Sequence, residues 1–232
     1  MFSSLHNVHA WVVPIFPSYK NHLSLLSVEE IQRFQNFRFE IHSQLFACSH
    51  IAMRLVLSKY TGLLPEEIEF SHEEKGKPLI NDSSIKFNLS HSHDLALLAV
   101  CQEDEIGCDI EFALKNAEFD QLAQRFFSAN EASKLLRLPK EQKREAFYTC
   151  WTRKEAFIKA IGEGLSYPLS EFEVSFLPTE QPRLLRIGST EQTANQWSLL
   201  NLQLPENYKG ALVVKKKHPI LSNWVFGINE FL

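Results

Sequence analysis

The chain has 232 residues, of which 44% are hydrophobic and 22% are charged, proportions that are typical of a globular protein and exclude intrinsic disorder. The net charge is −4 at pH 7, so nothing in the overall charge predicts a nucleic-acid partner. Any anion-binding site must therefore be a local cluster of basic side chains.

The sequence also predicts where the protein works. No apolar run approaches the length that spans a membrane, and residues 1–4 lack the basic patch of a signal peptide. The cysteines are scattered, without a CxxC pair or a histidine at zinc spacing, which predicts reduced core cysteines and no zinc site. These features predict a cytoplasmic protein with no membrane association. The cysteines are Cys48, Cys101, Cys108 and Cys150.

In the first half of the chain, the alternation of Val8–Val13 predicts an opening strand. Ser27 and Glu30 have the spacing of a capping box, which predicts the start of a helix. A longer helix is predicted over 42–60, ending at Gly62. A short strand at 68–70, a polar turn at 73–78 and strands at 85–91, 95–101 and 106–112 are predicted to follow.

The second half is predicted to be helical over 119–161, with Ser128 as the N-cap of a helix that contains Glu131. The order helix, glycine, proline, strand at 59–70 recurs at 159–174, about 100 residues later. We therefore predict an α+β fold of two similar lobes, 1–106 and 107–232. Further strands are predicted at 172–176, 183–187, 197–202, 211–214 and 224–228.

The helical stretch 151–162 has two distinct faces at 100° per residue. Glu155 and Lys159 lie on the polar face, four residues apart, where the simplest interpretation is an exposed ion pair worth a few tenths of a kcal/mol. Lys154 projects from the apolar face. A lysine in that place is costly unless its stem packs and its ammonium reaches water or an anion.

Two further carboxylates, Asp109 and Glu111, alternate with apolar residues on a predicted strand, so that both lie on one face. An exposed strand face is the simplest interpretation. The alternative is a metal site, because like charges this close repel unless a cation lies between them. Glu155 could complete an all-oxygen site of the kind that suits Mg²⁺.

A second polar segment lies at the end of the strand predicted at 85–91. Hydroxyl and imidazole groups next to a turn with free backbone N–H groups can bind an anion, but they can equally satisfy their own backbone. The residues are Asn88, Ser90, His91 and Ser92, and a second turn is formed by Gly76, Lys77 and Pro78.

In their order and spacing, these segments resemble the 4′-phosphopantetheinyl transferases. The length resembles that of the two-lobed Sfp type and not that of the short, trimeric holo-acyl-carrier-protein synthases. The resemblance implies two lobes related by a pseudo-twofold axis, an active site between them and a monomer. The matching segments are Gly76–Pro78, Phe87–Ser92, Ile106–Glu111, Trp151–Lys159 and Gly162–Leu165.

The resemblance implies transfer of 4′-phosphopantetheine from coenzyme A to a serine of an apo acyl or peptidyl carrier protein, with Mg²⁺ as cofactor and 3′,5′-ADP as by-product. Such carriers serve fatty-acid, polyketide and nonribosomal peptide synthesis. By position, Asp109, Glu111 and Glu155 would be the Mg²⁺ ligands. Glu155 or a metal-bound water would be the general base, and Lys159 would neutralise the diphosphate. Contacts with coenzyme A are implied for Lys77, Pro78, Ser90, His91, Lys154 and Lys159.

One region departs from the family pattern. Relatives usually carry a basic pair and a further arginine around the start of the long first-lobe helix, to hold the 3′-phosphate, and 42–50 here lacks the expected arginines. A non-catalytic protein of the same fold that binds coenzyme A or a nucleotide is therefore an alternative. Glu131 falls where relatives carry an acidic residue of unassigned role. The candidates for the missing contacts are Arg38, His42, His50 and Arg54.

Overall fold

The fold is described here from a computed structural model, over residues 7–114, 117–188 and 193–231. Met1–Ser4, which entered the localisation prediction, lie outside the described residues. No helix in the described ranges is both long enough and apolar enough to cross a membrane.

The described residues form eleven strands and five α-helices. The strands are β1 (Asn7–Pro14), β2 (Phe70–His72), β3 (Pro78–Ile80), β4 (Ile85–Ser92), β5 (Leu95–Gln102), β6 (Ile106–Phe112), β7 (Phe172–Val174), β8 (Leu184–Ile187), β9 (Ser198–Asn201), β10 (Tyr208–Val214) and β11 (Ile220–Val225). The helices are α1 (Val28–Gln35), α2 (Glu40–Thr61), α3 (Phe119–Phe126), α4 (Ala129–Leu136) and α5 (Lys140–Ala160).

The first lobe is built on a four-stranded sheet in the order β11-β1-β5-β4. β1 pairs antiparallel with β5 and parallel with β11. The apolar residues of α2 pack on one face of this sheet and make the largest contribution of any element to the hydrophobic core of the first lobe. α2 ends at Gly62, whose φ of 76° is a left-handed conformation that glycine adopts without steric cost.

The second lobe places α5 across a three-stranded sheet in the order β6-β10-β9. The helix approaches β6 very closely at Gly107. A Cβ atom there would lie 2.2 Å from the carbonyl oxygen of Ala156 and 2.3 Å from the backbone nitrogen of Ala160. Because only glycine permits this approach, it sets the distance between α5 and the strand that carries Asp109 and Glu111.

The predicted α+β class is confirmed, and so are the capping box at Ser27 and the N-cap at Ser128, which also forms a capping box. All four cysteines are buried and free, as predicted. The region 119–161 is mostly helical, as predicted, and contains the three helices α3, α4 and α5. The short strand predicted at 68–70 lies two residues further along, at Phe70–His72, because a 3-10 turn over Pro65–Glu67 ends just before Ile68.

The C-terminal strand lies in a different place from the one that the sequence predicts. Instead of 224–228, it spans Ile220–Val225 and pairs with β1, in the sheet of the first lobe. The division into lobes 1–106 and 107–232 stays a prediction. The structure adds that β11, from the end of the chain, joins the sheet of the first lobe.

Candidate active site

Asp109 lies on β6 and is 3% exposed. Its Oδ1 accepts hydrogen bonds from Lys159 Nζ at 2.6 Å and from Ser90 Oγ at 2.9 Å. Its Oδ2 is buried and has no hydrogen-bond partner among the described residues. Burial raises the pKa of Asp109, although the positive charge of Lys159 opposes the rise. A buried carboxylate oxygen without a partner is costly unless a ligand completes its surroundings.

Lys159 lies in the last turn of α5, with its side chain 28% exposed. Burial alone would lower the pKa of Lys159, but the charge of Asp109 and the hydrogen bond to it outweigh burial and raise the pKa. Lys159 is therefore a cation at neutral pH. The interpretation of Lys159 and Glu155 as an exposed ion pair is wrong, because Lys159 pairs with Asp109 and Glu155 is buried.

Glu111 and Glu155 complete a cluster of acidic side chains around Asp109. Glu111 accepts a hydrogen bond from Ser92 Oγ at 2.8 Å, and its pKa is raised by burial and by the charge of Asp109. Burial, together with repulsion from Asp109 and Glu111, raises the pKa of Glu155 to about 7. The interpretation of Asp109 and Glu111 as an exposed strand face is wrong, since both side chains are at least partly buried.

The three carboxylates do not form a closed metal cage. Within 7–114, 117–188 and 193–231, no three His, Cys, Asp or Glu side chains are grouped closely enough to hold a metal ion. The cluster nevertheless fits a cation in two respects. Asp109 has an unpartnered oxygen, and the negative charges of Asp109 and Glu111 both raise the pKa of Glu155. A hard divalent cation would relieve both.

The expected contact between Lys154 and coenzyme A is corrected by the structure. Its ammonium is fully buried and pairs with Glu131 Oε2 at 2.8 Å. It also donates to the carbonyl oxygens of Leu169 at 2.7 Å and Phe172 at 2.6 Å. All three hydrogens of the ammonium are used inside the second lobe, so Lys154 cannot contact a substrate without breaking that core. The anion that the sequence required for this lysine is Glu131.

Glu131 thereby acquires a structural role that the sequence left unassigned. Its Oε2 also accepts from the backbone N–H of Ser128 at 3.0 Å, which begins α4. Its Oε1 accepts from the backbone N–H of Val174 at 2.8 Å, on β7. Glu131 therefore joins α4, α5 and β7 through one buried carboxylate.

Lys77 and Pro78 lie where the hairpin of β2 and β3 meets the end of α5. Lys77 Nζ donates to the carbonyl oxygen of Ala160 at 2.8 Å and pairs with Glu105 at 3.3 Å. It therefore occupies one of the carbonyls that a helix leaves free at its C-terminus. Pro78 begins β3 and is half-buried. Among the described residues, two acceptors are found for the three hydrogens of the Lys77 ammonium.

His91 is exposed on β4 and borders a cavity of about 310 Å³ beside the acidic cluster. None of the described residues that line this cavity is lysine or arginine. Two candidates for the missing arginines are engaged elsewhere, because His50 and Arg54 both pair with Glu30 at 2.7 Å. His42 lines the cavity, and Arg38 lies over the ring of Phe39 at 5.4 Å. The other lining residues are Phe37, Leu45, Phe46, Ser92 and His93.

Comparison with known proteins identifies the family. Residues 105–213 match the model of the 4′-phosphopantetheinyl transferase superfamily, and residues 9–103 match that of the N-terminal domain of 4′-phosphopantetheinyl transferases. The chain is 37% identical to the 4′-phosphopantetheinyl transferase HetI of Nostoc sp., over 89% of this chain and 87% of that protein. The chain belongs to the 4′-phosphopantetheinyl transferase family.

Two further relatives agree with this assignment. A relative from Synechocystis sp. is 32% identical to this chain, over 94% of this chain and 90% of that protein. The 4′-phosphopantetheinyl transferase Sfp of Bacillus subtilis is 36% identical, over 66% of this chain and 67% of that protein. The predicted family is confirmed, and the protein is an enzyme rather than the non-catalytic alternative.

Proposed function

We propose that this transferase moves 4′-phosphopantetheine from coenzyme A to a serine hydroxyl of an apo acyl or peptidyl carrier protein with the help of Mg²⁺, releasing 3′,5′-ADP. Transfer of phosphopantetheine from coenzyme A to carrier proteins is the activity of the family. The observation that carries the rest is the buried Oδ2 of Asp109, which has no partner among the described residues and lies close to Glu111 and Glu155.

Asp109, Glu111 and Glu155 would hold the ion. All three supply carboxylate oxygens, which are the ligands that Mg²⁺ prefers. When bound, Mg²⁺ supplies positive charge that orients the diphosphate and offsets its developing negative charge. The raised pKa values of the three carboxylates support this assignment, because each carboxylate loses stability as an anion until a cation is near.

Two side chains of α5 would carry out the remaining chemistry. Glu155 or a metal-bound water would accept the proton of the serine hydroxyl. The pKa of Glu155, raised to about 7 without a cation, would fall when Mg²⁺ binds, which leaves both candidates open. Lys159 supplies a fixed positive charge for the departing phosphate. Coenzyme A phosphates would be contacted by Lys159, by Lys77, with Pro78 shaping that turn, and by exposed His91.

The arrangement of the lobes is part of the proposal. We infer a pseudo-twofold relation between 1–106 and 107–232, with the site between them in a monomer. The site takes Ser90 and Ser92 from a strand of the first sheet, and Asp109 and Glu111 from a strand of the second. Such a division is what a site between two lobes requires.

The experiment is to incubate the protein with coenzyme A, Mg²⁺ and a panel of apo acyl and peptidyl carrier proteins, and to weigh the carriers. We expect one carrier to gain the mass of one phosphopantetheine, and Asp109→Ala and Glu155→Ala each to abolish the gain while circular dichroism stays unchanged. Glu141→Ala is the matched control, because Glu141 is an exposed carboxylate in the first turn of α5, about 20 Å from Glu155 along the helix. Full activity of either variant would overturn the three-carboxylate site.

A further inference from the structure

Two strands from different sheets, β4 and β6, lie side by side at the centre of the site. They are joined by side chains that alternate along β4, each accepting a hydrogen bond from a backbone N–H of β6. Asn88 Oδ1 accepts from Cys108 at 2.8 Å, Ser90 Oγ from Ile110 at 3.4 Å and Ser92 Oγ from Phe112 at 3.0 Å. We call Asn88, Ser90 and Ser92 the β4 ladder.

The two serines of the β4 ladder make a second contact that the asparagine does not. Ser90 Oγ donates to Asp109 Oδ1 at 2.9 Å, and Ser92 Oγ donates to Glu111 Oε2 at 2.8 Å. In both cases the serine accepts a hydrogen bond from the backbone N–H of one residue of β6 and donates to the carboxylate of the residue immediately before it. At Asn88 the corresponding residue is Gly107, which has no side chain.

This double contact fixes the direction of each hydroxyl. A serine hydroxyl has one hydrogen and two lone pairs. Since the backbone N–H occupies a lone pair, the hydrogen is directed to the carboxylate. Ser90 also accepts from Lys159 Nζ at 2.9 Å, so that its hydrogen and both lone pairs are used. A phosphate of coenzyme A could contact the Ser90 hydroxyl only by replacing one of these three partners.

We propose that Ser90 and Ser92 are positioning residues that hold Asp109 and Glu111 in the orientation in which their other oxygens bind Mg²⁺. The inference rests on the proposed Mg²⁺ site. Two carboxylates on one strand face repel each other, and a donor on one oxygen of each opposes their rotation away from the site. The arrangement at Asp109 agrees, since Oδ1 has two donors and Oδ2 has none among the described residues.

The test uses Ser92, because Ser90 also contacts Lys159. Ser92→Ala and Ser92→Thr are compared by two titrations with Mg²⁺: the initial rate of carrier modification, and the thermal shift of the protein alone. We expect Ser92→Ala to raise the half-saturating Mg²⁺ concentration about tenfold in both titrations. Ser92→Thr keeps the hydroxyl, and its half-saturating Mg²⁺ concentration should stay within about twofold of the wild-type value in both titrations.

The matched control is Ser175→Ala. Ser175 is also a buried serine, and its hydroxyl accepts from the backbone N–H of Arg183 at 2.9 Å and donates to the carbonyl of Gln181 at 2.7 Å, with no contact to the acidic cluster. It should lower the melting temperature without changing either Mg²⁺ titration. Asn88→Ala should behave in the same way, because it removes the ladder position that has no carboxylate.

The outcomes separate this inference from the proposed function. An unchanged Mg²⁺ titration in Ser92→Ala overturns the positioning role, and so does a Ser92→Thr variant as weak as Ser92→Ala. A shift in Asn88→Ala equal to that in Ser92→Ala also overturns it, because strand spacing alone would then explain the effect. If the unchanged protein itself modifies the carrier without any response to Mg²⁺, the metal site proposed above fails first.

Discussion

Two of the lysines of α5, Lys154 and Lys159, show how similar ion pairs can serve different purposes. The Lys154–Glu131 pair is complete: the ammonium has three acceptors, and both oxygens of Glu131 have donors. The Lys159–Asp109 pair is incomplete, because Asp109 Oδ2 has no partner in the described chain. A completed pair can only hold elements together, whereas an incomplete pair keeps an oxygen for a ligand. The Lys154–Glu131 pair therefore stabilises the fold, whereas the Lys159–Asp109 pair is part of the proposed functional site.

The largest expected effect tests the completed pair. Lys154→Met removes one partner and leaves Glu131 charged and buried, which costs about 3–5 kcal/mol in the free energy of unfolding. Equilibrium unfolding in urea would measure this loss. The rate of carrier modification per folded molecule should stay unchanged, because Lys154 does not reach the acidic cluster.

The double variant Lys154→Met/Glu131→Leu is the control for that loss. Replacing both members of a buried ion pair by apolar side chains restores much of the stability that a single replacement removes. Recovery should be partial here, because Glu131 also accepts from two backbone N–H groups. If Lys154→Met lowered turnover of the folded enzyme as strongly as Lys159→Ala, the contrast between the two lysines would be wrong.

The second effect tests the incomplete pair. Lys159→Ala should lower kcat about a hundredfold, or about 2.7 kcal/mol in the activation free energy, because its charge matters most as the diphosphate departs. The KM for coenzyme A should change much less. Initial rates at varied coenzyme A would separate the two constants. The matched control is Lys143→Ala, whose ammonium pairs with Asp120 at 2.7 Å, about 24 Å before Lys159 along α5. An equal change in kcat and KM would contradict the role in the transition state.

The third effect concerns the spacing that brings Lys159 to Asp109. In Gly107→Ala the new methyl group would meet the backbone of Ala156 and Ala160 at 2.2–2.3 Å, and backbone cannot rotate away. We expect a loss of about 2 kcal/mol in stability together with a large loss of activity, since α5 must move away from β6. Gly62→Ala is a control with open space around it but a left-handed backbone. It should lower stability without a matching loss of activity per folded molecule.

Local features of the fold could be predicted from the sequence because their causes are local. The capping box predicted at Ser27 and the N-cap predicted at Ser128 both depend on residues three positions apart, and both are confirmed. The pairing of β11 with β1 joins Ile220 to Asn7, and no local pattern encodes a contact over that separation. The same limit explains why the sequence predicts the last strand at 224–228, whereas the structure has it at Ile220–Val225.

Lys154 shows the same limit at the level of the site. Periodicity correctly predicted a lysine on an apolar face that needs an anion, but it could not say which anion. The family resemblance suggested coenzyme A, whereas the nearer partner is Glu131, brought in by the turn between α4 and α5. The unpartnered oxygen of Asp109 was equally beyond prediction, because it depends on which donors the folded chain leaves out.

The smallest expected effect concerns Glu30, a first-lobe carboxylate whose surroundings are as complete as those of Glu131. It accepts from His50 and Arg54 at 2.7 Å and from the backbone N–H of Ser27 at 2.8 Å. Burial alone would raise the pKa of Glu30, but the hydrogen bonds from His50 and Ser27 and the charge of Arg54 outweigh it and lower the pKa. The shift is thus opposite in direction to that of Asp109.

A carboxylate with a lowered pKa stabilises the fold above its unfolded pKa, and this contribution disappears as the pH falls through the folded value. Glu30→Gln should therefore cost about 1.5 kcal/mol near neutral pH. The difference from the unchanged protein should shrink below the ordinary glutamate value of 4.5. Urea unfolding of both proteins from about pH 7 to about pH 3.5 would measure it. A difference that grew on acidification would mean that Glu30, like Asp109, is destabilised as an anion. The completeness of its partners would then no longer separate structural carboxylates from ligand-binding ones.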